Sequence, residues 1–153
     1  MATRRDAREW VVQLLFQLDM NPDAKLDGVF QRFWKDVRPE SDCRDFAERI
    51  VRGVRDHGAK LDEVICKYAE HWDLHRMAVV DRNVMRMAVF EMLFCDDIPP
   101  VVSINEAVDL AKYFSSTESG KFVNGILDRV RKDLNRPARS ARPDGQQPSG
   151  AEA

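Results

Sequence analysis

Arginines and an aromatic residue recur on one side of the first predicted helix. At about 100° per residue, Arg5, Arg8, Val12 and Phe16 share a face beside the apolar stripe, and Arg4 precedes them. Guanidinium groups bind phosphate through paired hydrogen bonds, and an aromatic ring can stack on an unpaired base. Arginine also opposes the helix dipole in a first turn, where acidic residues are favoured. The pattern fits a nucleic-acid site and ordinary surface ion pairs equally well.

A second group of candidate binding residues surrounds the start of the last predicted helix. It combines three aromatic rings, two serine hydroxyls, an ammonium and an amide at a helix N-terminus, which itself favours anions: Tyr113, Phe114, Ser115, Ser116, Lys121, Phe122 and Asn124. Stacking on rings and neutralisation of phosphates are the means by which proteins hold single-stranded RNA. The alternative is that Phe114 and Phe122 belong to the core, which the spacing of Phe122 favours.

Residue patterns for catalysis or metal binding are weak. His71 and His75 are four residues apart, but no third ligand is indicated, so a surface or inter-helix histidine pair is the favoured interpretation. The string at 119–122 lacks the earlier glycine, the Ser or Thr after the lysine and the preceding strand of a phosphate-binding loop. We therefore expect a protein that is not an enzyme, with no catalytic residues, cofactor or metal.

The elements that must position these groups are helices, because apolar residues recur at helical spacing and no segment alternates with period two. Ser103 and Glu106 form a capping-box pattern. The sequence predicts an all-α fold of about seven helices joined by short connections. The first helix is predicted from Thr3 or Asp6 to about 20, the second at about 25–37, and the third from a cap at Ser41 or Asp42 to about 56. The fourth is predicted at about 58–72 and the fifth at about 77–95. The sixth is predicted from Ser103 to Tyr113, and the seventh from a cap at Thr117 to about Leu134.

Composition narrows the class of protein. The 153 residues are 44% hydrophobic and 33% charged, as in globular proteins, and no apolar run is long enough to cross a membrane. The first residues do not lead into a signal-peptide pattern. Three cysteines without close pairing, Cys43, Cys66 and Cys95, favour a reducing cytoplasm.

Charge is distributed unevenly along the chain. Residues 9–127 carry 15 basic and 21 acidic side chains, a net −6, whereas residues 1–8 are +2 and residues 128–142 are +4. Basic ends on an acidic body predict a polyanion contact and a separate surface for a basic partner, although charged termini can also be merely solvated. Residues 136–153 have no large apolar side chain, so we expect a disordered basic tail.

Four strings of residues occur in an order typical of one known family. They are residues 4–9 (RRDARE) with Gln13 and Phe16, residues 81–91 (DRNVMRMAVFE), residues 103–112 (SINEAVDLAK) and residues 121–128 (KFVNGILD). Together they make residues 3–134 resemble the NusB family of bacterial transcription antitermination factors. The resemblance implies one RNA-binding domain over 1–135, built from two packed helical subdomains at about 1–75 and 76–135.

The resemblance also implies partners and site residues. Family members bind the boxA element of ribosomal RNA transcripts with NusE, a small-subunit ribosomal protein, in a complex on elongating RNA polymerase. NusE is basic, which suits the acidic body. The positions that match the family's RNA site are Arg4, Arg5, Arg8, Phe114, Ser115, Glu118, Lys121, Phe122 and Asn124, with Phe16 added from the helix face. Asp81, Arg86 and Glu91 match the side that meets NusE.

Other interpretations stay open at this stage. Asp6 stands where the family often has a basic residue, which lowers the RNA affinity expected of this chain alone. NusB-like domains also occur as accessory domains fused to RNA cytosine methyltransferases. A third alternative is a scaffold that binds NusE and ignores RNA. Both monomers and homodimers are compatible with the sequence.

Overall fold

Seven α-helices make up most of residues 2–70 and 72–141, the part of the chain that the computed structural model describes. A single 3₁₀ turn, Leu74–Arg76, lies between the fourth and fifth helices, and this part of the chain contains no strand. The prediction of an all-α fold of about seven helices is confirmed. The helices are α1 (Arg4–Met20), α2 (Leu26–Val37), α3 (Ser41–Asp56), α4 (Gly58–Tyr68), α5 (Val79–Phe94), α6 (Pro100–Phe114) and α7 (Thr117–Ala141).

Helix α5 is the central element, because it packs against α1, α3, α4, α6 and α7. Apolar residues occur on nearly all of its sides, which is typical of a buried helix. Val84, Met85, Met87, Ala88 and Val89 are all fully buried. They join one hydrophobic core with residues from both predicted subdomains, whose division near residue 75 stays a prediction.

The first helix begins as its sequence indicates, but other predicted caps are wrong. The Thr3 hydroxyl accepts a hydrogen bond from the backbone of Asp6, and the Asp6 carboxylate accepts one from the backbone of Thr3. In contrast, α6 begins at Pro100, whose ring fixes φ and has no N–H to satisfy, so Ser103 lies inside the helix. At α3, Glu40 occupies the cap position and makes no side-chain capping bond, so neither Ser41 nor Asp42 is the cap.

Two predicted helix ends also differ from the structure. Helix α4 stops at Tyr68, earlier than the predicted Trp72, and α7 continues to Ala141, beyond the predicted Leu134. The first six residues of the predicted disordered tail are therefore helical. Residues 142–153, Met1 and His71 lie outside the described residues, and with them the rest of the tail and the His71–His75 pair.

The described residues contain neither a helix suited to a membrane nor a cluster of metal-binding side chains. No helix among the described residues is long and apolar enough to cross a membrane. Within the same residues, no group of three or more His, Cys, Asp or Glu side chains is placed to hold a metal ion. The three cysteines are free thiols, with Cys43 and Cys95 buried and Cys66 exposed.

Candidate functional site

The first two arginines of α1 lie at the surface beside acidic partners. Arg5 donates to both carboxylate oxygens of Glu106, at 2.6 and 2.7 Å, and to Asp109 at 2.9 Å. The hydrogen bond from Arg5 lowers the pKa of Glu106 below its ordinary value. Arg4 lies 3.9 Å from Asp97, and its guanidinium is 4.4 Å from the ring centroid of Phe46. Both arginines keep about half of their side-chain surface exposed and can reach an external phosphate.

The third arginine is not a surface residue. Arg8 is 3% exposed and donates two hydrogen bonds, at 2.9 and 2.8 Å, to Glu91, which is 0% exposed. Ser103 donates to the same carboxylate at 2.6 Å, so the group connects α1, α5 and α6. Contact of Arg8 with RNA, or of Glu91 with a partner protein, would require this buried pair to open.

Arg86, another residue predicted to face the partner, belongs to a partly buried network between α1, α4 and α5. It donates to Asp62 at 2.8 Å and to Asp19 at 3.2 Å. Burial alone would raise the pKa of Asp19, but hydrogen bonds from Arg82 and Asn83 and the charge of Arg86 lower it below its ordinary value. The network lines one side of a surface cavity of about 320 Å³ and holds these side chains in fixed positions.

Asp81 is nearly buried and incompletely paired. Its Oδ1 atom has no hydrogen-bond partner among the described residues, and the side chain is 7% exposed. Burial raises the pKa of this carboxyl group, and the nearby Ser119 hydroxyl offsets the effect only in part. Asp81, one of the predicted partner residues on α5, therefore lies next to Ser119 in the first turn of α7, where RNA-binding residues are predicted.

The turn between α6 and α7 gathers most of the second predicted group. The Ser119 N–H donates to the Ser116 hydroxyl at 3.1 Å, so Ser116 has the capping role predicted for Thr117. The Ser119 hydroxyl donates to that of Ser115 at 2.9 Å. Phe114 packs edge-on against the exposed ring of Tyr113, with centroids 5.0 Å apart. The turn thus presents hydroxyl groups and an aromatic edge at the N-terminus of α7.

The first two turns of α7 add exposed polar groups. Lys121 is 72% exposed and forms a loose ion pair with Glu118, at 3.7 Å between Nζ and Oε1. Asn124 is exposed on the next turn. Charged and amide groups on one short helical surface, above the hydroxyl-rich turn, suit the phosphates and base edges of a single strand.

Phe122 is half-buried and contacts an aromatic residue that the sequence analysis did not assign to the site. Its ring lies edge-on to Trp72, with centroids 5.5 Å apart and an interplanar angle of 70°. Trp72 is 52% exposed, because α4 ends at Tyr68 and leaves it in an irregular segment. A large aromatic side chain within a polar stretch just after a helix is the signal that could have identified it.

The predicted face of Arg5, Arg8 and Phe16 does not form one surface. Arg8 and Val12 are buried, and Phe16 lies about 12 Å farther along α1 than Arg8, at 1.5 Å per residue. Phe16 is about half exposed, and Met20, one turn farther on, is more so. The C-terminal half of α1 therefore presents an exposed apolar strip, and the role of Phe16 in RNA binding stays a prediction.

Solved structures define the class of protein to which this fold belongs, the all-helical antitermination factors. NusB from T. maritima superimposes with a TM-score of 0.80 and 40% sequence identity, over 86% of this chain and 92% of that chain. A crystal structure of the antitermination factors NusB and NusE in complex with dsRNA matches with a TM-score of 0.77 and 27% identity, over 85% and 96%.

Sequence comparison gives the same family. The model of the NusB family matches residues 5–132. Transcription antitermination protein NusB of Anaeromyxobacter dehalogenans is 48% identical over 141 residues, covering 91% of this chain and 97% of that protein. Its counterpart from Desulfosudis oleivorans is 44% identical over 138 residues, covering 88% of each. The chain belongs to the NusB family, as its four sequence strings predict.

Proposed function

We propose that this protein is a non-catalytic transcription antitermination factor. It binds boxA-type RNA of ribosomal RNA transcripts together with NusE, on elongating RNA polymerase in the cytoplasm. Its relatives are named transcription antitermination proteins, and a related NusB has been solved in a crystal structure with NusE and dsRNA. The structural observation that supports RNA binding most directly is the exposed group of Lys121, Glu118 and Asn124 beside the aromatic rings of the α6–α7 turn.

The RNA would run from this group along the surface that also carries Arg4 and Arg5. Lys121 and the half-exposed arginines neutralise phosphates, and Phe114 and Phe122 pack against bases. Arg5 must release Glu106 and Asp109 when it binds a phosphate. That exchange costs little, because exposed ion pairs contribute only about 0–1 kcal/mol.

NusE would bind on a separate surface formed by α1 and α5. Phe16, predicted from the helix face to bind RNA, is thereby assigned to the NusE surface instead. It forms an exposed apolar strip with Met20, and Asp19, directly before Met20, connects to Arg82 and Arg86 on α5. An apolar strip bordered by fixed charges is typical of a protein interface. If each ligand favours the same arrangement of α5 and α7 around Asp81, RNA and NusE tighten each other's binding by the same factor.

Fluorescence anisotropy of a labelled boxA-type RNA, with and without NusE and beside a scrambled RNA, tests the function. We expect preferential binding of boxA-type RNA that NusE strengthens. Equal binding of both RNAs that NusE does not affect would contradict the proposal. The scaffold alternative predicts NusE binding with no RNA binding at all. An accessory domain of a methyltransferase is the weaker alternative, because the relatives above carry the name of antitermination proteins.

Replacing Lys121 with alanine should weaken RNA binding across sequences. Loss of one phosphate contact with a single strand lowers the slope of log K against log salt by about 0.7. Lys60→Ala is a matched control, because Lys60 is also exposed and forms a similar ion pair with Glu63 at 3.6 Å, on α4. Salt titrations of the two variants should separate them, and equal slopes would remove Lys121 from the site.

Replacing Asp81 with asparagine should stabilise the free protein. Because burial raises the pKa of Asp81, the folded state holds this proton more tightly than the unfolded chain. Protonation of Asp81 therefore favours folding fully below the ordinary pKa of aspartate. This stabilisation is lost as the pH rises through the raised pKa of the folded state. We therefore expect Asp81→Asn to raise the free energy of unfolding at pH 7 by up to about 1 kcal/mol, which shifts the midpoint to a higher urea concentration. The difference should be smaller towards pH ~4.

The same variant should bind NusE more weakly if the Asp81 carboxylate meets a basic group of the partner. Titration of NusE by calorimetry measures that loss, and Asp27→Asn, at an exposed position on α2, controls for general loss of acidic charge. A variant that is no more stable at pH 7 would refute the cost of burying Asp81.

A further inference from the structure

A groove between the end of α4 and the second turn of α7 has features of a ligand site. Its volume is about 260 Å³, and its lining includes Trp72, Phe122, Gly125 and Arg129. We infer that this groove holds one unpaired nucleotide of the bound RNA, with the base beside Trp72 and above Gly125. The inference rests on the proposed RNA-binding function and adds a nucleotide subsite to it.

The aromatic wall of the groove is partly free. Phe122 supports Trp72 from one side, edge-on, while half of the Trp72 surface remains exposed. An exposed indole that a neighbouring ring holds in place is a ready stacking surface for a base of any sequence. Single exposed apolar side chains are common, so the other walls of the groove must support the assignment.

A glycine in the floor of the groove, Gly125, also indicates a ligand site. It lies inside α7, where glycine destabilises a helix relative to alanine. Its backbone does not adopt positive φ, and a Cβ added to it would meet no atom within 4 Å. Neither backbone conformation nor packing therefore requires glycine here. Its effect is to keep the floor of the groove open, so that a flat group can approach the helix backbone.

Positive charge at the groove suits the phosphate of such a nucleotide. Arg129 is about half exposed and donates to the carbonyl oxygen of Tyr68 at 2.9 Å, which holds it at the rim. Lys121 also lines the groove, and its loose pair with Glu118 can exchange for a phosphate. Glu70 lies 3.9 Å from Arg129 and is the acidic group of the lining. Because Lys121 belongs to the predicted RNA surface, the groove continues that surface.

Anisotropy with single abasic substitutions along the boxA-type RNA, in the presence of NusE, tests the subsite. We expect Trp72→Ala to weaken binding about five- to thirtyfold and Trp72→Phe to weaken it less. One abasic position should weaken binding to the wild type by a similar factor and have little effect on Trp72→Ala, because the stacked pair is already lost. Phe94→Ala is the control, because Phe94 is a similarly exposed ring that stacks on His57, before α4.

A second variant tests the groove without removing an aromatic contact. Gly125→Leu should preserve or raise the melting temperature, because leucine favours a helix, and should weaken RNA binding by filling the groove. Gly28→Leu is its matched control, because Gly28 also lies inside a helix, α2, and a Cβ there would meet only the guanidinium of Arg32, at 3.5 Å.

The outcomes separate the two proposals. If the wild type does not bind boxA-type RNA, the proposed function fails. If the wild type binds, but Trp72→Ala and Gly125→Leu bind equally well and no abasic position couples to Trp72, the nucleotide subsite is refuted and the RNA site stands without it.

Discussion

Glu91→Ala should lower the free energy of unfolding by about 3–5 kcal/mol, because it leaves a buried guanidinium without the carboxylate that accepts its hydrogen bonds, and among the described residues only Glu106, at 3.8 Å, remains nearby. Arg8 makes both of its short hydrogen bonds to this carboxylate, and Ser103 donates to it as well. Water cannot replace the lost partner, since Arg8 is almost completely buried. Urea unfolding of the wild type and the variant at pH 7 measures the difference.

Two further variants show whether burial is the cause. Glu106→Ala removes a partner of the half-exposed Arg5 and a longer contact, 3.8 Å, to Arg8. Because Arg5 keeps Asp109 and Arg8 keeps Glu91, we expect a loss of about 1 kcal/mol or less. The double variant Arg8→Leu and Glu91→Leu should recover much of the stability, because no unpaired charge remains. A Glu91→Ala loss no greater than that of Glu106→Ala would contradict a buried pair in solution.

The variant Arg8→Ala distinguishes two roles for Arg8, phosphate binding and stabilisation of the core. If Arg8 binds phosphate, as the sequence pattern suggested, Arg8→Ala flattens the salt dependence of RNA binding. If Arg8 instead stabilises the core, Arg8→Ala lowers the stability of the protein and leaves the salt dependence of RNA binding unchanged. The binding must be measured at a temperature where the variant is folded. The structure favours the second result, because the guanidinium is paired inside the protein.

Gly53→Ala should destabilise the protein by about 1–3 kcal/mol, although alanine normally favours a helix. An ideal Cβ at Gly53 would lie 2.0 Å from Cζ of Phe90 and 2.2 Å from Cε1, far inside contact distance. Phe90 is buried and stacks on Phe94, so its ring cannot move aside without disturbing α5. Urea unfolding again measures the loss.

Rescue provides the decisive control for Gly53. Phe90→Leu removes the ring atoms that clash, so the double variant should be more stable than the sum of the two single changes predicts. Gly58→Ala, where nothing lies within 4 Å, should cause no loss. Additive effects at positions 53 and 90 would mean that the two helices do not approach as closely as described.

Periodicity predicted the helices because apolar spacing reflects the face that each helix buries. The start of α1 was predictable since both members of its capping box lie within four residues. The start of α6 was not, because the same pattern at Ser103 and Glu106 is used for tertiary contacts, with Glu91 and with Arg5. Local strings cannot show that a distant helix has taken the side chains that would form a cap.

The candidate site shows the same limit. Arg5 and Arg8 are identical in type and three residues apart, yet one lies at the surface and the other in the core. The difference depends on Glu91, 83 residues after Arg8 in the chain, because Glu91 pairs with Arg8 and not with Arg5. Trp72 escaped the sequence analysis for a related reason, since its contact with Phe122 joins the segment after α4 to α7, and the two are distant in sequence. Family resemblance supplied the residues predicted to bind RNA, while their pairing within the protein could be seen only in the structure.

The ion pairs of Arg5 have a consequence for thermodynamic measurements of RNA binding. Glu106 and Asp109 occupy the positions around the guanidinium that phosphate oxygens would take, so the free protein already carries an internal mimic of its ligand. If RNA binds Arg5 as proposed and displaces these carboxylates, they attract cations from solution while the phosphates release theirs. The net release of counterions is then smaller than the number of phosphates contacted. The salt slope of the wild type should therefore underestimate the size of its basic contact surface.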